Sequence, residues 1–215
     1  MRQEFITNDE MDSIAESVLL KAGIPISWQG NVEKINIESI IEFEYGLDIV
    51  WDNIDHLSRD GDVLAAISPK RKIIYMNEAK KDLFKEKMGT MNFSKAHELG
   101  HWILHVTELN DYEQLSFTDN ERFFCRGGVT RSSEEIQADM FAASILLPKN
   151  IVIGAVNQIK EREIVGFPAL YSLKDKFEVS ITALTKRIKN LGLLYFQDKK
   201  VYSSEAEATG QMSLF

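Results

Sequence analysis

Five residues, His97-Glu98-Leu99-Gly100-His101, carry the pattern His-Glu-x-x-His. On a helix, positions i and i+4 lie one turn apart on the same face. Both imidazoles then reach one metal ion, and zinc is the usual occupant of such a pair. Glu98 falls to the side of the two histidines. A carboxylate there takes a proton from a water activated at the metal instead of binding the metal itself. Two solvated histidines on a surface helix would show the same spacing. Here Phe93, Ala96, Leu99, Gly100, Ile103 and Leu104 interleave with the motif, so the helix is apolar on most sides and is predicted to be buried. Buried imidazoles need partners for their ring nitrogens, and a metal is one. Gly100 costs about 1 kcal/mol relative to alanine in a helix interior. Its presence there predicts a neighbour packed against the backbone.

A catalytic zinc takes a third protein ligand and leaves one position open. The segment Ser132-Ser133-Glu134-Glu135-Ile136-Gln137-Ala138-Asp139 is the source of that ligand. Ser132 or Ser133 caps a helix with an acidic first turn, and Ile136, Met140, Ala143 and Leu147 give it an apolar stripe. Glu135 and Asp139 are again i and i+4. That spacing suits a ligand carboxylate at Glu135 and a second carboxylate, Asp139, that orients one ligand histidine. Glu134, offset by about 100° around the helix, is the competing ligand. His105 continues the series 97, 101, 105 but is displaced by about 40° from His101. It reads as a helix-end histidine bonding the last carbonyls, with a place beside the metal ligands as the alternative.

The stretch Phe93-Ser94-Lys95-Ala96-His97-Glu98-Leu99-Gly100-His101, then Glu135-x-x-Ala138-Asp139-x-Phe141-Ala142 and Leu146-Leu147-Pro148, resembles the ImmA/IrrE family of bacterial and phage metallopeptidases. The resemblance spans roughly residues 5–195 and is closest from Phe93 to Pro148. It implies a thermolysin-like (gluzincin) core in which His97, His101 and Glu135 hold Zn2+ and Glu98 is the general base. It also implies a protein substrate, a helix-turn-helix repressor or antitoxin of a phage or mobile element. One departure is Ser94-Lys95, where family members more often carry Thr-Leu; it does not touch the chemistry.

The 215-residue chain has room for one compact domain with a small appendage. Its composition, 44% hydrophobic and 27% charged, is that of an ordinary soluble protein. A net charge of −8 argues against broad nucleic-acid binding by the whole surface. The single cysteine, Cys125, excludes an internal disulfide and fits a reducing compartment. It is read as a structural thiol, because a catalytic zinc keeps its fourth position open. The polar start Met1-Arg2-Gln3-Glu4 does not resemble a signal peptide, and no apolar run has the length of a membrane span. A cytoplasmic location is expected.

The predicted fold class is α+β: a mostly helical zincin-like core over residues 1–148 with a small antiparallel sheet, a helix-turn-helix-like segment with a closing hairpin over 149–202, and a flexible tail over 203–215. Thr7-Asn8-Asp9-Glu10 opens a helix carrying Met11, Ile14, Ala15, Val18 and Leu19, which Gly23 and Pro25 end. A second helix runs over Ile37–Tyr45 to Gly46. Strands are predicted at Leu47–Trp51, Val63–Ile67 and Lys72–Met76, the last two forming a hairpin across Ser68-Pro69-Lys70-Arg71. Ile73–Tyr75 is taken as a sheet edge able to pair with a substrate backbone. Val106–Arg131 reads as a long polar loop, and Arg122, Arg126 and Arg131 as its solvated charge.

Beyond Pro148, a helix is predicted over Ile151–Ile159, then a pair, Pro168–Phe177 and Ser180–Leu191, joined at Glu178-Val179. The second of the pair carries Lys186, Arg187 and Lys189. So few basic residues do not predict direct DNA binding. Gly192 suits a C-cap, and Leu193–Phe196 with Lys199–Tyr202 suits a hairpin around Gln197-Asp198. The terminal Gln211-Met212-Ser213-Leu214-Phe215 resembles the short peptide by which bacterial proteins dock on the DNA polymerase sliding clamp, with Gln211, Leu214 and Phe215 as anchors. The best reading is a zinc endopeptidase. Its rivals are a metal-stabilised binder that sequesters a repressor or DNA without cutting, and a toxin component. Glu98 favours catalysis, since a structural site needs no base and closes its fourth position.

Overall fold

The computed structural model describes residues 5–57, 63–106, 116–119 and 132–209. Helix α1 (Asn8–Lys21) starts with the predicted capping box: the Thr7 hydroxyl accepts from the Glu10 N–H at 3.3 Å, and the Glu10 carboxylate accepts from the Thr7 N–H at 2.8 Å. Its stripe of Met11, Ala15, Val18 and Leu19 is buried. The second predicted helix is a short turn, α2 (Ile37–Ser39), running into a π-helical turn over Ile40–Glu44 that buries Ile40 and Ile41.

Among the described residues, four strands form the sheet: β1 (Asp48–Asp52), β2 (Val63–Ser68), β3 (Ile73–Asn77) and β4 (Ser116–Asp119), in the order β1-β3-β2-β4. The β2–β3 hairpin is as predicted, turning through Pro69–Arg71 with Lys72 left-handed at φ 56°. Two expectations need correction. The sheet is mixed, because β1 runs parallel to β3, with Val50 opposite Tyr75. The chain reverses once before β2 and again before β3, so β1 and β3 share a direction and pair side by side. Strand β3 is consequently internal, with Ile74 and Met76 buried, and Ile73–Tyr75 is no edge. Among the described residues, the outer strands are β1 and β4.

Helix α3 (Lys81–Glu86) sets Phe84 edge-on to Trp51, with ring centroids 5.8 Å apart. Helix α4 (Met88–His105) carries the His-Glu motif and is buried at every residue from Asn92 to His101. Helix α5 (Ser133–Leu146) packs along α4 on one side and meets α1 on the other. Helices α6 (Lys149–Glu161), α7 (Phe167–Phe177) and α8 (Ile181–Asn190) follow. The α7–α8 pair is the one predicted, with Ser180 capping α8 by accepting from the Ala183 N–H at 3.0 Å. Gly89 seats this pair on the site helix. A Cβ there would come within 2.4 Å of the Val179 carbonyl carbon.

One apolar interior continues from Met11 of α1 through Phe141 of α5 to Leu184 and Ile188 of α8. Arg187 lies within it. Its guanidinium donates to the Asp12 carboxylate at 2.5 Å and to the Leu147 carbonyl at 3.1 Å, and Asp12 also accepts from the Ser144 hydroxyl at 2.6 Å. Arg187 is thus a core residue and cannot reach a phosphate, whereas Lys186 and Lys189 are exposed. The closing hairpin, β5 (Tyr195–Gln197) and β6 (Lys200–Tyr202), turns at Asp198-Lys199, one residue later than expected. Both turn residues have positive φ, as a two-residue primed turn requires. Within the expected tail, Glu205–Thr209 form a short helix, α9.

Cys125, the loop residues Arg122, Arg126 and Arg131, and the terminal Gln211, Leu214 and Phe215 lie outside the described residues. Among the described residues, no single helix is long and apolar enough to cross a membrane.

Candidate metal centre

The centre forms where α4 meets α5. The Ser132 hydroxyl accepts from the Glu135 N–H at 3.3 Å, which starts α5 so that Glu135 falls in its first turn, beside the motif. His97 and His101 face Glu135 across the helix contact. Their Nε2 atoms are 3.0 Å apart. One Glu135 oxygen lies 3.4 Å from His97 Nε2, and the other lies 3.4 Å from His101 Nε2. A tetrahedral ion with bonds of about 2.0–2.1 Å holds its ligand atoms about 3.3 Å apart. Each imidazole thus has one Glu135 oxygen near that spacing, and one ligand atom from each of the three residues lies within 4.8 Å of the other two. Two buried ring nitrogens and a half-buried carboxylate are donors of the types that suit Zn2+. The competing acid, Glu134, is not part of this group; it reaches His101 only through its charge.

His97 turns its other nitrogen away. Nδ1 lies 2.9 Å from Asp139 Oδ1, on the same helix as Glu135. An ionised carboxylate only accepts, so Nδ1 donates and the Nε2 lone pair is left for a metal. Burial works against a charge on His97, but the hydrogen bonds to Asp139 and Glu135 outweigh it and raise its pKa to about 10. Glu98 is fully buried, and its charge adds to that rise. Burial lowers the His101 pKa, with partial compensation from Glu135. For Glu135, burial opposes the ionised form, yet the two imidazoles hold its carboxyl below the usual carboxylate range.

His105 does not bond the last carbonyls of α4. Its Nδ1 faces His101 Nδ1 at 3.1 Å, and its Nε2 faces Gln137 Oε1 at 2.9 Å. Gln137 was not singled out in the sequence, since nothing in its spacing from Glu135 or Asp139 marks it. Lys95, the departure from the family pattern, has a structural place. It is buried on the motif helix, and its ammonium pairs with the Glu38 carboxylate of α2.

Histidine and carboxylate donors facing each other across two packed helices, with a buried glutamate next in sequence, define a metallopeptidase-type centre. The wider sequence places it more narrowly. Residues 55–189 match the Peptidase_M78 family, described as the IrrE N-terminal-like domain, and the chain belongs to that family of metallopeptidases. No curated protein matches the chain.

Proposed function

We propose that this protein is a zinc-dependent endopeptidase that cuts one peptide bond in a cytoplasmic regulatory protein, a helix-turn-helix repressor or antitoxin of a phage or mobile element. The observation that carries the reading is the meeting of His97, His101 and Glu135 within 4.8 Å of one another, with Glu98 buried on the same helix. His97, His101 and Glu135 would hold the Zn2+ ion, which would supply Lewis acidity there. Glu98 would act as the general acid–base, accepting a proton from the attacking water and delivering it to the leaving amine. Asp139 holds His97 in the tautomer that leaves Nε2 free. The substrate backbone adds to the outer edge of β4, which packs against α4 and, among the described residues, has β2 as its neighbour. The choice of a repressor rests on the resemblance of the Phe93–Pro148 stretch to the ImmA/IrrE peptidases. We further propose that Gln211, Leu214 and Phe215 dock on the sliding clamp.

The test uses the purified chain and the repressor encoded beside it, with and without Zn2+, alongside Glu98→Gln. Intact-mass spectrometry follows the repressor. The expected result is one discrete cut that needs the metal and is slowed about 10²–10⁴-fold by the substitution. A stable complex with bound metal and no cut would replace this reading with that of a binder.

A further inference from the structure

Each proposed ligand histidine has one nitrogen facing the donor cluster and one facing away. Behind His97 stands Asp139. Behind His101 stands a second imidazole: the two Nδ1 atoms of His101 and His105 are 3.1 Å apart, and His105 Nε2 is 2.9 Å from Gln137 Oε1. Ring nitrogens at that separation share one proton between them. The Gln137 amide oxygen can only accept, so His105 carries its proton on Nε2 and offers a lone pair at Nδ1. His101 must then donate from Nδ1, and its Nε2 lone pair is turned toward Glu135 and His97.

We propose that His105 and Gln137 are positioning residues that fix the tautomer and ring plane of His101, as Asp139 does for His97. This inference rests on the metal-site reading above. The chemistry gives a reason for the two different devices. Glu98, Glu134, Glu135 and Asp139 already bring the charge of four carboxylates to the imidazoles. A neutral imidazole–amide chain orients His101 without adding a further charge. It also ties the last turn of α4 to α5, the helix that brings Glu135. His105 is therefore part of the site although it lies one turn past the His-Glu-x-x-His motif.

The experiment strips the full chain of metal and measures Zn2+ affinity by competition with a chromophoric chelator. Ring ¹⁵N spectra report the His101 tautomer in the zinc-loaded protein. His105→Phe keeps the ring bulk and removes both nitrogens, Gln137→Leu removes the acceptor, and Gln137→Glu restores one. Loss of such a partner lowers metal affinity about 10–100-fold. That loss is expected for His105→Phe, with a smaller one for Gln137→Leu and near-wild-type binding for Gln137→Glu. The Nδ1–H signature of His101 should be clean in wild type and mixed in the first two variants. A purely structural role would instead lower the melting temperature of the metal-free variants and leave the tautomer alone. Zinc affinity within about twofold of wild type in His105→Phe, or in Gln137→Leu should the first not fold, with His101 unchanged, overturns the proposal. A wild-type chain that takes up no zinc refutes the metal-site reading instead.

Discussion

Gly100 of α4 stands so close to Ala138 of α5 that a Cβ on the glycine would lie 3.2 Å from the alanine Cα, and 3.1 Å from Phe141 Cδ1. The helix that supplies the two histidines and the helix that supplies Glu135 approach to this depth because position 100 has no side chain. Gly100→Ala gains about 1 kcal/mol of helix propensity and spends part of it moving α5 by a few tenths of an ångström. Global stability should change by less than about 1 kcal/mol, while zinc affinity falls, since α5 carries Glu135 and Asp139 with it. Paired urea unfolding and chelator competition would separate the two effects. Undiminished zinc affinity would mean that the close approach has no part in metal binding.

Lys95 is sealed inside the motif helix, while its partner Glu38 remains half exposed. Removing one member of such a pair is therefore asymmetric. Glu38→Ala leaves a buried ammonium uncompensated and should cost about 2 kcal/mol, discounted from the fully buried case because water reaches the Glu38 side. Lys95→Leu leaves only a solvated carboxylate and fills the space with apolar atoms, so it should be neutral or mildly stabilising. Chemical denaturation of both variants tests the order. Equal losses would contradict it.

With no metal bound, His97 keeps its proton up to about pH 10, whereas burial holds His101 in the neutral form at pH 7. A metal takes the Nε2 lone pair of both rings, so zinc binding near neutral pH should expel about one proton, that of His97. Calorimetry at pH 7.5 in buffers of different ionisation enthalpy measures this directly. Apparent affinity should rise about tenfold per pH unit until pH approaches the His97 value, then level off. For the metal-free fold, the shift has a definite sign. The folded value lies above the unfolded 6.5, so its stabilisation is complete below pH 6.5 and disappears as pH rises through about 10. A metal-binding enthalpy independent of buffer would remove the premise.

The Gln211-Met212-Ser213-Leu214-Phe215 sequence is expected to bind a bacterial sliding clamp through two apolar anchors and a glutamine. Deleting residues 211–215, or changing Leu214 and Phe215 to alanine, should abolish retention on immobilised clamp and leave zinc affinity and melting temperature as they were. Retention that survives the deletion would rule the peptide out.

Local periodicity was enough to pick out the residues that the structure brings together at the candidate site. His97, Glu98 and His101 follow from the rise of a single helix, and Glu135 and Asp139 from the same i, i+4 relation on a second one. The capping box at Thr7, the β2–β3 hairpin and the α7–α8 pair were legible for the same reason: each is made by residues a few positions apart. Partners far apart in sequence were not. Nothing local sends Arg187 inward to Asp12, Lys95 to Glu38, or Gln137 to His105, because those pairings depend on which helix faces lie together once the apolar interior has closed. The order of the sheet has the same origin. Each strand could be read by itself, but β3 became internal only when β1 paired beside it in parallel, a choice made by the packing of whole elements. The sequence alone determined which residue types could bind a metal; tertiary packing decided how they are held, since a side chain's identity is local and its neighbour across a helix interface is not.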